Sequence, residues 1–170
     1  FGCSLRMPAA FCGIVGLRTT PGLISNYPLP LPWDSGQVLG PMARSAEDAA
    51  MMLDAMAGYS EKMPNSVLAP WSSALEIVRG REDAKGLRLA YAPDIAAIGV
   101  DAELEGICRK AALGLAGDGA IVEEIDFDLS DARDAYLTLR GEWMVGMQYE
   151  RLDNLDAFGP NLAGNVRSGL

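Results

Sequence analysis

The sequence predicts an α/β fold, with a mixed, largely parallel sheet and helices on both faces. Residues 86–127 read as a strand, a helix and a second strand, a unit that pairs its strands in parallel through a right-handed crossover. Before it, short apolar segments alternate with segments of helical periodicity, as layered α/β domains require. The chain has 170 residues and 49% hydrophobic content, enough for one sizeable core. We therefore expect a single domain over 1–170.

The chain should open with a loop, a short helix and a short strand. Pro8 suits the first turn of a helix, which should continue to about Cys12 and stop at Gly13. Residues 14–17 then read as a buried strand. Because Cys12 lies between an aromatic residue and a glycine, we expect it to be a small core residue rather than a redox group.

A proline-rich connection and a second helix should follow. Residues 19–39 are interrupted by proline and glycine, which predicts a covered surface loop; a lid over a substrate channel is the alternative. Residues 38–42 read as another strand. Ser45 with Asp48 three residues later predicts a helix start, and Gly58 ends the apolar stripe behind it.

The second half should hold three helices and two strands. A short helix is predicted over 72–79, a strand over 86–92 and a helix over 101–116. A second strand over 120–127 and a long helix over 130–152 complete the order. The inward stripe of the middle helix should consist of Leu104, Ile107, Cys108, Ala111 and Leu115.

Composition limits the chemistry. Histidine is absent, which excludes Ser-His-Asp and Cys-His catalysis and His-ligated metals within this chain. The net charge of −9 argues against direct nucleic-acid binding, which needs a basic face. Three cysteines without paired spacing predict neither a disulfide framework nor a zinc site, and favour a reducing, cytoplasmic setting. No apolar run is long enough to span a bilayer.

The densest pattern lies in residues 1–22. It combines a small-residue turn, a proline-started apolar segment and a strand spaced by glycines. A serine behind a glycine-bearing turn can expose its hydroxyl while neighbouring backbone N–H groups point the same way. Acyl-transfer chemistry requires that arrangement. An ordinary loop leading into a buried helix is the alternative, and local chemistry alone favours it.

Two runs resemble the amidase signature family. Residues 2–22 read GCSLRMPAAFCGIVGLRTTPG and are similar to the family's signature. Residues 40–45 read GPMARS, and the helix behind them also follows the family's pattern through Asp54. The resemblance is dense over 1–58 and thin over 86–170, so 1–58 would be the signature region and 59–170 the remainder of the same domain.

The resemblance implies a site around Ser4. Ser4 matches the nucleophile of a Ser–cis-Ser–Lys triad, and the oxyanion-hole donors would be the backbone N–H groups of Phe1, Gly2, Cys3 and Ser4. Arg6 matches the family's arginine, which should hold the loop by pairing with backbone or a carboxylate. Cys3 departs from the family's usual glycine, so it would be strained if the position needs a positive φ.

The resemblance also implies where the other triad members lie. In the family, the lysine and the cis-peptide serine precede the nucleophile, so we expect the 170 residues to be an interior part of a longer enzyme. We expect no metal and no organic cofactor.

The predicted function is hydrolysis of a small-molecule amide through a serine acyl-enzyme. One alternative is the A subunit of a glutamyl- or aspartyl-tRNA amidotransferase, which releases ammonia from Gln or Asn. Another is an inactive piece that lacks the lysine and the cis-serine. A homo-oligomer and partner subunits both stay open, and no contact with a membrane is expected.

Overall fold

The computed structural model describes residues 3–170, and the chain divides into two compact units after Arg81. Each unit combines helices with a two-stranded ladder, so the α/β class predicted from the sequence is confirmed. Within the described residues the ladders are separate, one antiparallel and one parallel. No helix in residues 3–170 is both long and apolar enough to span a membrane.

The described residues of the first unit form three helices and two short strands. They are α1 (Arg6–Cys12), β1 (Val15–Gly16), β2 (Met42–Ala43), α2 (Ala46–Met56) and α3 (Ala74–Arg79). The strands pair antiparallel, with Val15 opposite Ala43 and Gly16 opposite Met42. β1 is shorter than the strand predicted over 14–17, and β2 overlaps the strand predicted over 38–42 only at Met42. Val15 is 38% exposed rather than buried.

Local signals fix the helix ends of this unit. Gly13 ends α1 with φ +63°, the left-handed conformation that glycine adopts without steric cost. Ser45 begins α2, and its hydroxyl accepts a hydrogen bond of 3.1 Å from the Asp48 N–H, as predicted. The core of this unit forms where α2 and α3 pack against the loop before α2. It consists of Leu23, Ile24, Ala50, Leu53 and Ala74.

The second unit begins with the predicted strand–helix–strand unit. Its elements are β3 (Arg88–Tyr91), α4 (Ala102–Gly114) and β4 (Ile121–Glu124). The strands are parallel, with Arg88 opposite Ile121, so the predicted parallel pairing is confirmed. The Asp101 carboxylate caps α4 by accepting hydrogen bonds from the Glu103 and Leu104 N–H groups.

Two packed helices close the second unit. α5 (Ala132–Met147) is followed by a 3₁₀ segment (Tyr149–Ala157) and by α6 (Pro160–Gly169). The long helix predicted to about residue 152 therefore ends at Met147. Val166 of α6 is completely buried, and a Cβ at Gly141 of α5 would lie 2.9 Å from the Gly169 Cα. Glycine at both positions is what allows these helices to approach closely.

Two further predictions about burial are wrong. Cys12 is exposed instead of filling the core. On α4 the apolar stripe is also exposed, with Leu104 at 54% and Ile107 at 60%.

The contacts of α4 explain its orientation. Its half-buried side chains include Glu105 and Arg109. The Arg109 guanidinium forms ion pairs with Glu105 and Glu124 and lies 5.6 Å from the ring centroid of Tyr91. Polar contacts therefore hold α4 to β3 and β4, and the apolar stripe faces away from them.

Candidate active site

Ser4 lies in the turn that leads into α1, and its side chain is exposed. Two backbone hydrogen bonds join this turn to the helix. The Cys3 carbonyl accepts from the Met7 N–H at 3.0 Å, and the Leu5 carbonyl accepts from the Ala9 N–H at 3.2 Å. The serine is therefore presented directly before the first turn of α1 on a hydrogen-bonded backbone.

Cys3 adopts a left-handed backbone conformation, with φ +55°. This conformation costs a residue with a Cβ about 1–2 kcal/mol, whereas glycine adopts it freely. The condition under which the sequence predicted strain at this position is therefore met. The strain lies one residue before Ser4, and the Cys3 side chain is exposed beside it.

Of the four oxyanion-hole donors inferred from the resemblance, two lie within the described residues and two lie outside them. Phe1 and Gly2 lie outside residues 3–170, so the structure does not describe their N–H groups. Cys3 and Ser4 lie inside them, consecutive in the turn. Only this half of the inferred donor set has a known location.

Arg6 is the first residue of α1, and its side chain is exposed. The sequence predicted that it would hold the loop by pairing with backbone or a carboxylate. Among residues 3–170, no ion pair joins it to a carboxylate. A supporting role for Arg6 stays a prediction.

Two glycines let the backbone pack tightly behind the turn. A Cβ at Gly16 would lie 2.6 Å from the Ala9 Cβ and 2.7 Å from the Leu5 carbonyl oxygen. A Cβ at Gly40 would lie 2.0 Å from the Leu17 carbonyl oxygen and 3.1 Å from the Leu5 Cδ1. Both glycines therefore contact the neighbourhood of Leu5, the residue after Ser4. Sequence reasoning did not assign them a role, although the resemblance includes both positions.

Further contacts fix the two segments that carry these glycines. The Leu17 N–H donates to the Pro41 carbonyl at 3.0 Å. The Thr19 hydroxyl donates to the Leu39 carbonyl at 2.7 Å, and Thr19 is 5% exposed. A hydrogen-bonded support therefore extends along the two segments beyond the β1–β2 ladder.

Candidate bases are few in the first unit. The chain has no histidine, and Lys62 is the only lysine up to Arg81. The Lys62 Nζ lies 4.9 Å from the ring centroid of Tyr27, so it makes a cation–π contact. Among residues 3–170, no three or more Cys, Asp or Glu side chains are grouped so that they could hold a metal ion.

The second unit has a cleft of about 550 Å³ at the carboxyl ends of β3 and β4, a location not predicted from the sequence. Asp94 is one of its lining residues. Its carboxylate accepts hydrogen bonds from the N–H groups of Gly99, Ala96 and Ile98, and the Gly99 bond is the main cause of its lowered pKa. These hydrogen bonds stabilise the conformation of the loop that carries Asp94. The cleft is lined by Ala92, Pro93, Asp94, Glu124, Ile125, Asp126 and Phe127.

Comparison with known proteins gives one family. A sequence model described as Amidase matches residues 1–163. Over 124 residues the chain is 37% identical to the A subunit of the glutamyl-tRNA(Gln) amidotransferase of Carboxydothermus hydrogenoformans, a match that covers 73% of this chain and 25% of that protein. Over 152 residues it is 33% identical to an acylamidase of Rhodococcus erythropolis, covering 88% of this chain and 31% of that protein.

A solved structure gives the same fold. The 6-aminohexanoate cyclic dimer hydrolase superimposes with a TM-score of 0.79 at 24% identity, covering 98% of this chain and 37% of that one. The chain thus spans between a quarter and two fifths of the lengths of these proteins.

Proposed function

The chain belongs to the amidase family, and we propose that the whole protein cleaves a carbon–nitrogen amide bond with Ser4 as its nucleophile. One observation carries the proposal: the family match includes the run around Ser4, and this serine is exposed at the start of α1. The proposed substrate is a small-molecule amide.

In the proposed reaction, the Ser4 hydroxyl oxygen attacks the amide carbonyl carbon. The carbonyl oxygen becomes an oxyanion, and the proposed donors to it are the backbone N–H groups of Phe1, Gly2, Cys3 and Ser4. Loss of one good donor costs about 3 kcal/mol of transition-state stabilisation. The C–N bond then breaks, the amine leaves with a proton, and water hydrolyses the ester on Ser4.

Ser4 needs a base to lose its proton during the attack. The resemblance assigns this task to a lysine, acting through a bridging cis-peptide serine, and both precede the nucleophile in other members of the family. A lysine acts as a base near neutral pH only when burial and neighbouring charges lower its pKa. In this proposal, none of Lys62, Lys85 and Lys110 is that lysine, because all three lie outside the signature. Arg6 is proposed to hold the loop.

A second candidate is the A subunit of a tRNA-dependent amidotransferase. It is favoured by the 37% identity to a protein of that kind. In this case the chemistry at Ser4 is the same, the substrate is Gln or Asn, and the ammonia passes to a partner protein. Because the net charge is −9, we propose that any RNA is held by that partner. A cytoplasmic setting suits both candidates.

An assay of the whole protein separates the two candidates. Amine release is measured with N-acyl anilides and short aliphatic amides, and ammonia release with Gln and Asn, each with Ser4→Ala as control. Turnover of simple amides supports the hydrolase, whereas release from Gln that depends on added partner proteins supports the amidotransferase. Equal turnover by wild type and Ser4→Ala would overturn both.

A further inference from the structure

We propose that Gly16 is a positioning residue for the proposed nucleophile and that it acts through Leu5. The inference rests on the proposed function, because it takes Ser4 as the nucleophile. Gly16 lies on β1 and does not itself contact the substrate in this proposal. Its role is to leave room for the Leu5 carbonyl and to support it from behind.

The space at Gly16 is too small for any side chain. A Cβ there would lie 2.6 Å from the Ala9 Cβ and 2.7 Å from the Leu5 carbonyl oxygen. Contacts under 3.0 Å force a neighbouring group to shift, and the oxygen belongs to the backbone rather than to a flexible side chain. Gly16 therefore fixes how closely the Leu5 peptide lies to β1.

Backbone hydrogen bonds on both sides restrain β1, so it cannot easily move away from Leu5. Gly16 pairs with Met42 in the ladder, and the next residue, Leu17, donates its N–H to the Pro41 carbonyl at 3.0 Å. The Ile14 N–H donates to the Ala9 carbonyl at 3.0 Å, which ties α1 to the same segment. A side chain at residue 16 would consequently displace Leu5 and Ala9 rather than β1.

Leu5 is hydrogen-bonded to α1 and lies close to Gly40. Its carbonyl accepts the Ala9 N–H, and its side chain lies so near Gly40 that a Cβ added there would be 3.1 Å from the Leu5 Cδ1. Since the Leu5 nitrogen is bonded to the Ser4 carbonyl carbon, a displaced Leu5 peptide displaces Ser4 as well. Bringing the two contacts at Gly16 to an ordinary separation of about 3.5 Å requires shifts of about 0.8–0.9 Å. A misplacement of about 1 Å at a reacting group can cost about 100-fold in rate.

The test compares Gly16→Ala with Gly106→Ala in the whole protein. Among residues 3–170, a Cβ at Gly106 would meet nothing within 4 Å, so this variant adds the same methyl group without a contact to the described residues. Active sites are counted with a serine-directed phosphonate probe, and kcat is expressed per active site. We expect Gly16→Ala to lower kcat and the probe-labelling rate by about 10- to 100-fold, with KM changed much less and Gly106→Ala unchanged.

Leu5→Ala provides a second variant that introduces no clash. It removes the side chain beside Gly40, and we expect kcat per active site to fall by about 10-fold or more. A purely structural role for Gly16 and Leu5 would lower the number of titrated sites and the melting temperature, but not kcat per site. Wild-type kcat per site in Leu5→Ala, or in a folded Gly16→Ala, would overturn the inference.

Ser4→Ala separates failure of this inference from failure of the proposed function. If Ser4→Ala retains turnover, then Ser4 is not the nucleophile and the proposed function fails. If Ser4→Ala is inactive while Gly16→Ala and Leu5→Ala keep wild-type kcat per site, only the positioning role fails.

Discussion

The Asp54 carboxylate accepts a hydrogen bond of 2.6 Å from the backbone N–H of Ala74 and so joins the end of α2 to the start of α3. The same carboxylate accepts from the Leu75 N–H at 3.1 Å and from the Ser73 hydroxyl at 2.8 Å. The first N–H groups of a helix have no partner within the helix, so a carboxylate there satisfies donors that would otherwise need water. Asp54 thus stabilises the same unit that carries Ser4.

These hydrogen bonds predict how stability depends on pH. The bond from Ala74, followed by that from Leu75, lowers the pKa of Asp54 below its ordinary value of 3.8. A carboxylate with a lowered pKa contributes stability above its unfolded pKa and loses it as the pH falls through the folded value. We therefore expect Asp54→Asn to flatten the decline of the unfolding free energy below about pH 4. Urea unfolding between neutral and acidic pH measures this, and equal slopes for both proteins would contradict it.

A second prediction concerns the strained residue before Ser4. Because Cys3 has φ +55°, Cys3→Gly should raise the unfolding free energy by up to about 1 kcal/mol and retain amide hydrolysis. Cys3→Val is the matched opposite, since a β-branched residue is least tolerated at positive φ. Urea unfolding and turnover of the whole protein are measured together. If Cys3→Gly abolishes activity, the thiol has a role in the reaction.

The third prediction follows from the corrected location of Cys12. A buried cysteine would leave a cavity on replacement by alanine, but Cys12 is exposed, so Cys12→Ala should change the unfolding free energy by less than about 0.5 kcal/mol. Leu53→Ala serves as the buried control, because Leu53 is 6% exposed, and it should cost about 2–5 kcal/mol. A comparable loss for both variants would show that Cys12 packs in a core.

Features set by neighbouring residues could be predicted from the sequence. The left-handed stop at Gly13 and the Ser45 cap depend on a few consecutive residues, and both are present. The parallel pairing of β3 with β4 follows from the general preference of strand–helix–strand units and is also present. For the site, the resemblance to the signature motif is enough to single out Ser4 as the candidate nucleophile and to predict the turn that carries it.

Features set by distant contacts could not be predicted. Periodicity shows that Leu104 and Ile107 share a face of α4, but not which face is covered. In the structure the face that carries Arg109 is turned toward the strands, where Arg109 contacts Glu124 of β4 and Tyr91 of β3. Likewise, the contact between Gly16 and the Leu5 carbonyl depends on how β1 packs against α1, which neither segment specifies alone.

The fourth prediction is that residues 1–170, prepared alone, show no amidase turnover. The chain has no histidine, and the Lys62 ammonium lies against Tyr27. Ser4 needs a base within hydrogen-bonding reach or a short proton relay to lose its proton on attack, and under the proposed function none of Lys62, Lys85 and Lys110 is that base. A fluorogenic amide and a serine-directed probe are used, with the whole protein as positive control. Multiple turnovers with stoichiometric labelling at Ser4 would mean that this chain carries its own base.

The most direct test of Ser4 as nucleophile is to trap the acyl-enzyme. The whole protein is mixed with an activated amide or ester substrate, quenched in acid within the first turnovers, digested and analysed by mass spectrometry. If Ser4 is the nucleophile, the peptide that contains Ser4 carries an added acyl mass, and Ser4→Ala shows neither adduct nor turnover. An acyl adduct on another residue, or wild-type turnover in Ser4→Ala, would contradict this assignment.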